Sequence, residues 1–86
     1  MEICTIVNGR VKAFVLINVR SGFEESSLER IKQLEQVASM DAIFGKYDFH
    51  IVVYFEPLKD LDDFVMNTLR GIEGVYQTTT LLSIEM

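Results

Sequence analysis

Two segments of the chain, residues 11–19 and 49–56, alternate in the way that is typical of β-strands with one face in a core. One face of each segment is wholly apolar, and the opposite face is apolar in part. Phe14 and Leu16 lie on this second face of the first segment, and Val52 and Tyr54 lie on that of the second. We also predict a short strand at residues 40–44 and a last strand at residues 75–85.

Helical spacing of apolar residues separates these strands. The first predicted helix covers residues 23–37, where Leu28, Ile31 and Leu34 form one stripe. The second covers residues 61–71 and begins after Asp60, a plausible N-cap residue. Before the first long strand, Asn8 and Gly9 form a dipeptide that favours a tight hairpin turn, so residues 2–7 are predicted to pair with residues 11–19.

The order of elements is therefore β-α-β-β-α-β, with an extra N-terminal strand. Right-handed crossovers give a ferredoxin-like sandwich of the α+β class, in which a four-stranded antiparallel sheet carries two helices on one face. We expect one domain over residues 11–86 and a strand-like arm over residues 1–10. The open sheet face would expose four apolar side chains, which predict a dimer interface: Phe14, Leu16, Val52 and Tyr54.

Composition excludes several classes of function. The net charge is −5, and the 8 Lys and Arg residues form no basic block, so we expect no direct nucleic-acid binding. No apolar run approaches the ~20 residues that a membrane helix needs. The single cysteine, Cys4, cannot form an internal disulfide, which favours the cytoplasm. The single histidine, His50, finds no partners at metal-ligand spacing, so we predict neither a metal site nor a catalytic set.

Two short segments are candidates for binding. Gly45 to Asp48 form a turn between two strands, and Gly74 to Thr80 open the last strand with three consecutive threonines. Glycine and aspartate are common in turns, and threonine is common in strands, so each segment also has a purely structural interpretation.

In combination these segments resemble a known family. The order of elements, the Gly-x-Tyr-Asp turn (Gly45, Tyr47, Asp48) and the Gly-Val-x-x-Thr-x-Thr entry to the last strand (Gly74, Val75, Thr78, Thr80) resemble the RAM domain. This is the effector-binding domain of Lrp/AsnC (feast/famine) transcription regulators. The resemblance covers residues 11–86. Full-length members carry an N-terminal helix-turn-helix domain, whereas this sequence resembles the stand-alone RAM proteins.

The resemblance implies a function and a site. RAM domains pair through their sheets, and the dimers assemble into rings, often octamers, that bind amino acids where dimers meet. The implied ligand-binding residues are Gly45, Tyr47, Asp48, Thr78, Thr79 and Thr80, with no cofactor. Asp48 would accept hydrogen bonds from the ammonium group of the ligand, and backbone N–H groups and threonine hydroxyls would donate to its carboxylate. We expect Asp48→Ala to weaken binding and to leave the fold intact.

Three interpretations of function remain open at this stage. The first is a cytoplasmic, non-enzymatic module that senses an amino acid or related metabolite and co-assembles with full-length regulators. The second is a small dimeric α/β-barrel enzyme of the monooxygenase or isomerase type, because such enzymes share the architecture. The third is a purely structural oligomerisation domain. A pocket within one subunit would favour the enzyme, and a site between dimers would favour the sensor.

Overall fold

Alternating strands and helices build the chain, in a computed structural model that describes residues 6–7, 10–56 and 58–83. The strands are β1 (Ile6–Val7), β2 (Arg10–Val19), β3 (Val37–Ala42), β4 (Phe49–Phe55) and β5 (Val75–Leu82). Helix α1 (Glu24–Lys32) joins β2 to β3. Helix α2 (Leu58–Asp63) follows β4 and continues directly as a π-helical segment (Phe64–Leu69).

The strands form one antiparallel sheet in the order β5-β2-β4-β3. Strand β1 pairs with the start of β2, where Val11 faces Ile6 on one side and Phe55 of β4 on the other. Because β4 occupies one edge of β2, β1 and β5 share its other edge. This is the predicted ferredoxin-like arrangement with its extra N-terminal strand.

The core lies between the helices and one face of this sheet. Alternate residues of β2 and β4 supply the sheet side, and Ala13, Val15, Ile17, Ile51 and Val53 are fully buried there. The helical side consists of Ile31 from α1, Leu61 from α2, and Phe64, Val65 and Leu69 from the π-helical segment, followed by Ile72. Both helices therefore cover the same face, as the sequence predicts.

Several predicted boundaries are wrong. The first helix ends at Lys32 and not at residue 37, because Gln33 and Leu34 donate to carbonyls only three residues back and tighten the last turn. The next strand begins at Val37, which pairs with Val53, and ends at Ala42. The second helix begins at Leu58, so Asp60 lies within its first turn and is not the N-cap.

The last strand also differs from the prediction, since β5 ends at Leu82 rather than at residue 85. Predictions about Cys4, the Asn8-Gly9 turn and the ends of the chain lie outside the described residues.

The open face of the sheet carries the four side chains predicted for a dimer interface. Phe14 pairs with Val52 and Lys12 with Tyr54 across β2 and β4, so these residues lie together on the face opposite the core. Phe14, Leu16, Val52 and Tyr54 are half-buried within the single chain. Leu81 of β5, opposite Phe14, extends the apolar patch and is 50% exposed.

Candidate functional site

The turn between β3 and β4 is held by backbone hydrogen bonds at its base. The Ile43 N–H donates to the Asp48 carbonyl at 2.9 Å, and the Asp48 N–H donates to the Ile17 carbonyl of β2 at 3.0 Å. At the tip, Gly45 has a φ of +143°, a conformation that side chains disfavour. A Cβ at this position would meet nothing within 4 Å, so backbone conformation rather than space requires the glycine.

The Asp48 carboxylate is hydrogen-bonded to the backbone of β2, a contact that the sequence does not reveal. Its Oδ2 atom accepts from the Val19 N–H at 2.8 Å. Strand β4 pairs with β2 only as far as Ile17, and the pairing of β2 with β5 shifts register between Asn18 and Val19. The carboxylate therefore satisfies a backbone donor at an irregular end of the ladder. An ionised carboxylate can accept about four hydrogen bonds, so this contact leaves capacity for a ligand.

Polar and aromatic side chains surround this end of the sheet. The Lys46 ammonium lies 5.9 Å from the centre of the Tyr47 ring. On the other side of β2, the Arg20 guanidinium lies 5.9 Å from the centre of the Tyr76 ring, and the Asn18 amide donates to the Gln77 side chain at 3.4 Å. The exposed surface beside Asp48 can therefore offer both donors and acceptors to a small polar molecule.

The three threonines of β5 do not share one face. Thr78 and Thr80 pair with Ile17 and Val15, whose side chains are buried under the helices, so both threonines lie on the helix side of the sheet. Thr79 pairs with Leu16 and lies on the open side. Alternation along the strand separates them, as expected for consecutive strand residues.

A single chain does not bring the predicted site residues into contact. Gly45, Tyr47 and Asp48 belong to the turn on the β4 side of β2, and the threonines belong to β5 on the other side. Two strand intervals separate Asp48 from Thr78, or about 10 Å at the usual ~4.8 Å spacing. A ligand that contacts both groups would need a second copy of the chain to supply one of them.

A groove between α2 and β5 is a feature that sequence reasoning missed. Its volume is about 520 Å³, and Lys59, Leu61, Asp62, Val65, Thr80 and Leu82 line it. Leu61 and Val65 in this lining are buried and apolar, whereas Lys59 and Asp62 are exposed and form its charged rim. Only Thr80 among the predicted ligand-binding residues lines it. The spacing of Leu61 and Val65, four residues apart, predicts that they share one face of a helix, but the sequence does not show that this face borders β5.

Phe44 is the second missed feature. The sequence predicts it as the last residue of a strand, yet β3 ends two residues earlier and Phe44 lies in the turn. Its relative exposure is 107%, the highest among the exposed large hydrophobic residues of the described chain. A fully exposed phenylalanine beside the candidate turn points to a surface that meets another molecule.

The open sheet face carries His50 in an aromatic cluster. The His50 ring stacks on Phe14 with centroids 5.6 Å apart, and the Lys12 ammonium lies 5.3 Å from the centre of Phe14. The Nδ1 atom of His50 lies 3.9 Å from the Asp41 carboxylate.

Among the described residues, no group of three or more His, Cys, Asp or Glu side chains could hold a metal ion. No helix in the described part of the chain is long and apolar enough to cross a membrane.

The sheet order and the two helices on one face define a ferredoxin-like α+β domain with a polar turn at one end of the sheet. Residues 12–86 match the sequence profile of the Lrp/AsnC ligand-binding domain. The chain therefore belongs to this family, whose members are ligand-binding domains of transcription regulators rather than enzymes. No curated protein matches the sequence.

Solved structures agree with this assignment. The chain is 36% identical to TTHA0845 from Thermus thermophilus, with a TM-score of 0.81 and coverage of 88% of this chain and 95% of that one. It is 30% identical to FFRP-DM1, with a TM-score of 0.81 and coverage of 86% and 99%. The transcriptional regulator NMB0573 from Neisseria meningitidis, solved as an L-Met complex, shares the fold at 18% identity. Its TM-score is 0.82, and the match covers 98% of this chain and 59% of that one.

Proposed function

We propose that this chain is a cytoplasmic amino-acid sensor that regulates transcription through its own assembly and performs no catalysis. The observation that carries the proposal is the match of residues 12–86 to the Lrp/AsnC ligand-binding domain. The L-Met bound in the Neisseria regulator supports an amino acid as the class of ligand. Because the net charge of −5 disfavours direct contact with DNA phosphates, the chain acts on DNA through a protein partner, such as a full-length regulator of this family.

The proposed site has the turn as its centre. Asp48 accepts from the ligand ammonium while its Oδ2 atom keeps the bond to Val19. Backbone N–H groups near Gly45 donate to the ligand carboxylate, and Tyr47 forms the adjacent wall. Charge-assisted hydrogen bonds of this kind are the strong ones in binding sites. Because the threonines lie across β2 from this turn, they contribute from neighbouring copies, Thr78 and Thr80 on the helix side of the sheet and Thr79 on its open side.

Assembly is part of the proposed function. The apolar open face, with Phe14, Leu16, Val52 and Tyr54, packs against the same face of a second copy, so that the two sheets bury each other. Such a contact is isologous, which means that each copy supplies the same residues. Further association of dimers, to an octamer, places the turn of one dimer at the boundary with the next.

The test is a thermal-shift screen with each of the twenty amino acids. A ligand at one hundred times its Kd stabilises the folded state by about 2.7 kcal/mol. For a domain of this size each 1 kcal/mol raises the Tm by about 4–8 °C, so a cognate amino acid is expected to raise it by roughly 10–20 °C. Calorimetric titration then gives the affinity. If no amino acid shifts the Tm, the sensing function is refuted and a purely structural oligomerisation domain is the better description.

A further inference from the structure

Phe44 is exposed in a way that a single chain does not explain. Hydrogen bonds at its base fix the backbone of the turn that carries it. Its relative exposure of 107% means that the whole ring faces solvent. An aromatic side chain buries about 150–250 Å² when it finds a partner surface, and exposed apolar surface of this kind marks interaction sites.

The groove between α2 and β5 has the shape and chemistry to receive such a side chain. Leu61, Val65 and Leu82 give it an apolar lining, and its volume is about 520 Å³. A cavity of about 150 Å³ lined by apolar side chains is enough to bind benzene. A phenylalanine ring therefore fits in this groove with room for neighbouring atoms of its turn.

Phe44 and the groove cannot meet within one chain. The turn follows β3, which is one outer strand of the sheet, and the groove borders β5, which is the other. The two surfaces are different and complementary. A contact between them joins two copies head to tail, and repetition of such a contact produces a ring when the rotation closes.

Charge at the two surfaces also matches. Lys46 stands two residues from Phe44 in the turn, and Asp62 stands at the rim of the groove. Lys59, the cation in the groove lining, lies 3.6 Å from Asp63 and is thus paired within its own helix. We propose that Phe44 of one copy inserts into the groove between α2 and β5 of a second copy, with Lys46 facing Asp62.

This contact uses neither the open sheet face nor a bound ligand. The two interfaces can therefore form together on one subunit. The contact also places the turn that carries Asp48 next to Thr80 of the neighbouring copy, because Thr80 lines the groove. This contact does not depend on the amino-acid site, and it is therefore tested with no amino acid present.

The first test is the assembly mass by sedimentation equilibrium for three variants. Phe44→Ser removes the aromatic ring and is expected to reduce the mass of the assembly at least twofold. Phe44→Leu keeps an apolar side chain and should retain most of it. Met66→Ser, which removes another exposed apolar residue outside the groove lining, is the matched control and should leave the mass unchanged. Equal masses for wild type and Phe44→Ser would overturn the proposal.

The second test identifies the contact while Phe44 is kept. In a Cys4→Ser background, chains with Lys46→Cys are mixed with chains that carry Asp62→Cys, and a short bismaleimide joins thiols that lie close together. Mass spectrometry of the products is expected to find position 46 linked to position 62. Chains with Met66→Cys replace the Asp62→Cys chains as the control. Links from position 46 to itself, or equally to position 66, would reject the proposed geometry.

Discussion

Replacement of Asp48 separates two roles that the same carboxylate plays. One is structural, since Oδ2 accepts from the Val19 N–H at 2.8 Å, and the other is the proposed contact with a ligand ammonium. Asp48→Ala removes both. Asp48→Asn keeps a carbonyl oxygen that can accept from Val19 and removes the negative charge that attracts the ligand. The contact with Val19 therefore adds an expected loss of stability to the sequence-based expectation that Asp48→Ala leaves the fold intact.

The size of the structural effect follows from the burial of Val19, which is 6% exposed. A buried N–H that loses its acceptor costs about 1–3 kcal/mol, so Asp48→Ala should lower the Tm by roughly 4–24 °C. A neutral acceptor is about half as strong as a charged one, so Asp48→Asn should lower the free energy of unfolding by about 1 kcal/mol. For binding, loss of a charged hydrogen bond of about 1.5–3 kcal/mol predicts at least a tenfold weaker Kd in both variants.

The assays are thermal unfolding without ligand and calorimetric titration with the amino acid that stabilises the wild type. Glu35→Gln, which removes one charge from an exposed position, is the matched control and should leave both quantities unchanged. If Asp48→Ala keeps the wild-type Tm, the hydrogen bond from Val19 does not contribute to stability. If Asp48→Asn keeps the wild-type affinity, Asp48 is a structural turn residue and not the ligand anchor.

The open sheet face, the net charge and Gly74 each give one further prediction. The wild type should sediment well above the 9.9 kDa of a single chain, and Leu16→Asp should reduce that mass, whereas a monomeric wild type would contradict the sheet-to-sheet dimer. The isolated chain should show no preference among duplex DNA sequences in gel-shift assays at physiological salt, and clear discrimination would refute this. Gly74→Ala should lower the Tm more than Gly22→Ala, because both have positive φ but a Cβ at Gly74 would collide with the Cβ of Phe23. Equal losses of stability in the two variants, measured by chemical denaturation, would show that the structure relieves the clash at Gly74.

The overall fold was predictable because strand and helix periods are local properties of the sequence. Alternation in β2 and β4 identified the buried face, and helical spacing identified Ile31 as a core residue. The end of the first helix was not predictable in this way. The residues between Lys32 and Val37 are compatible with a helix, but the last turn tightens after Lys32 and Val37 then pairs with Val53 on a strand that is distant in sequence.

The candidate site was predictable only in part, for a similar reason. The sequence identified the turn that carries Tyr47 and Asp48 as a feature of interest, but the bond from Val19 to Asp48 joins residues that are 29 positions apart. The exposure of Phe44 was hidden because the residue sits at the end of an apolar run. Whether such a residue lies in a strand or in the following turn depends on where the neighbouring strand stops pairing.

The position of β2 in the sheet also has a consequence for folding. Val15 of this early strand pairs with Ile51 and Thr80, so its two edges are completed by segments 36 and 65 residues further along the chain. Pairings of such long range slow the folding of small domains. Until the last strand emerges during synthesis, β2 lacks its β5 partner, and its unpaired backbone N–H and C=O groups can pair with other chains. Folding of this domain is therefore completed only at its C-terminal end, and chains truncated before β5 should aggregate.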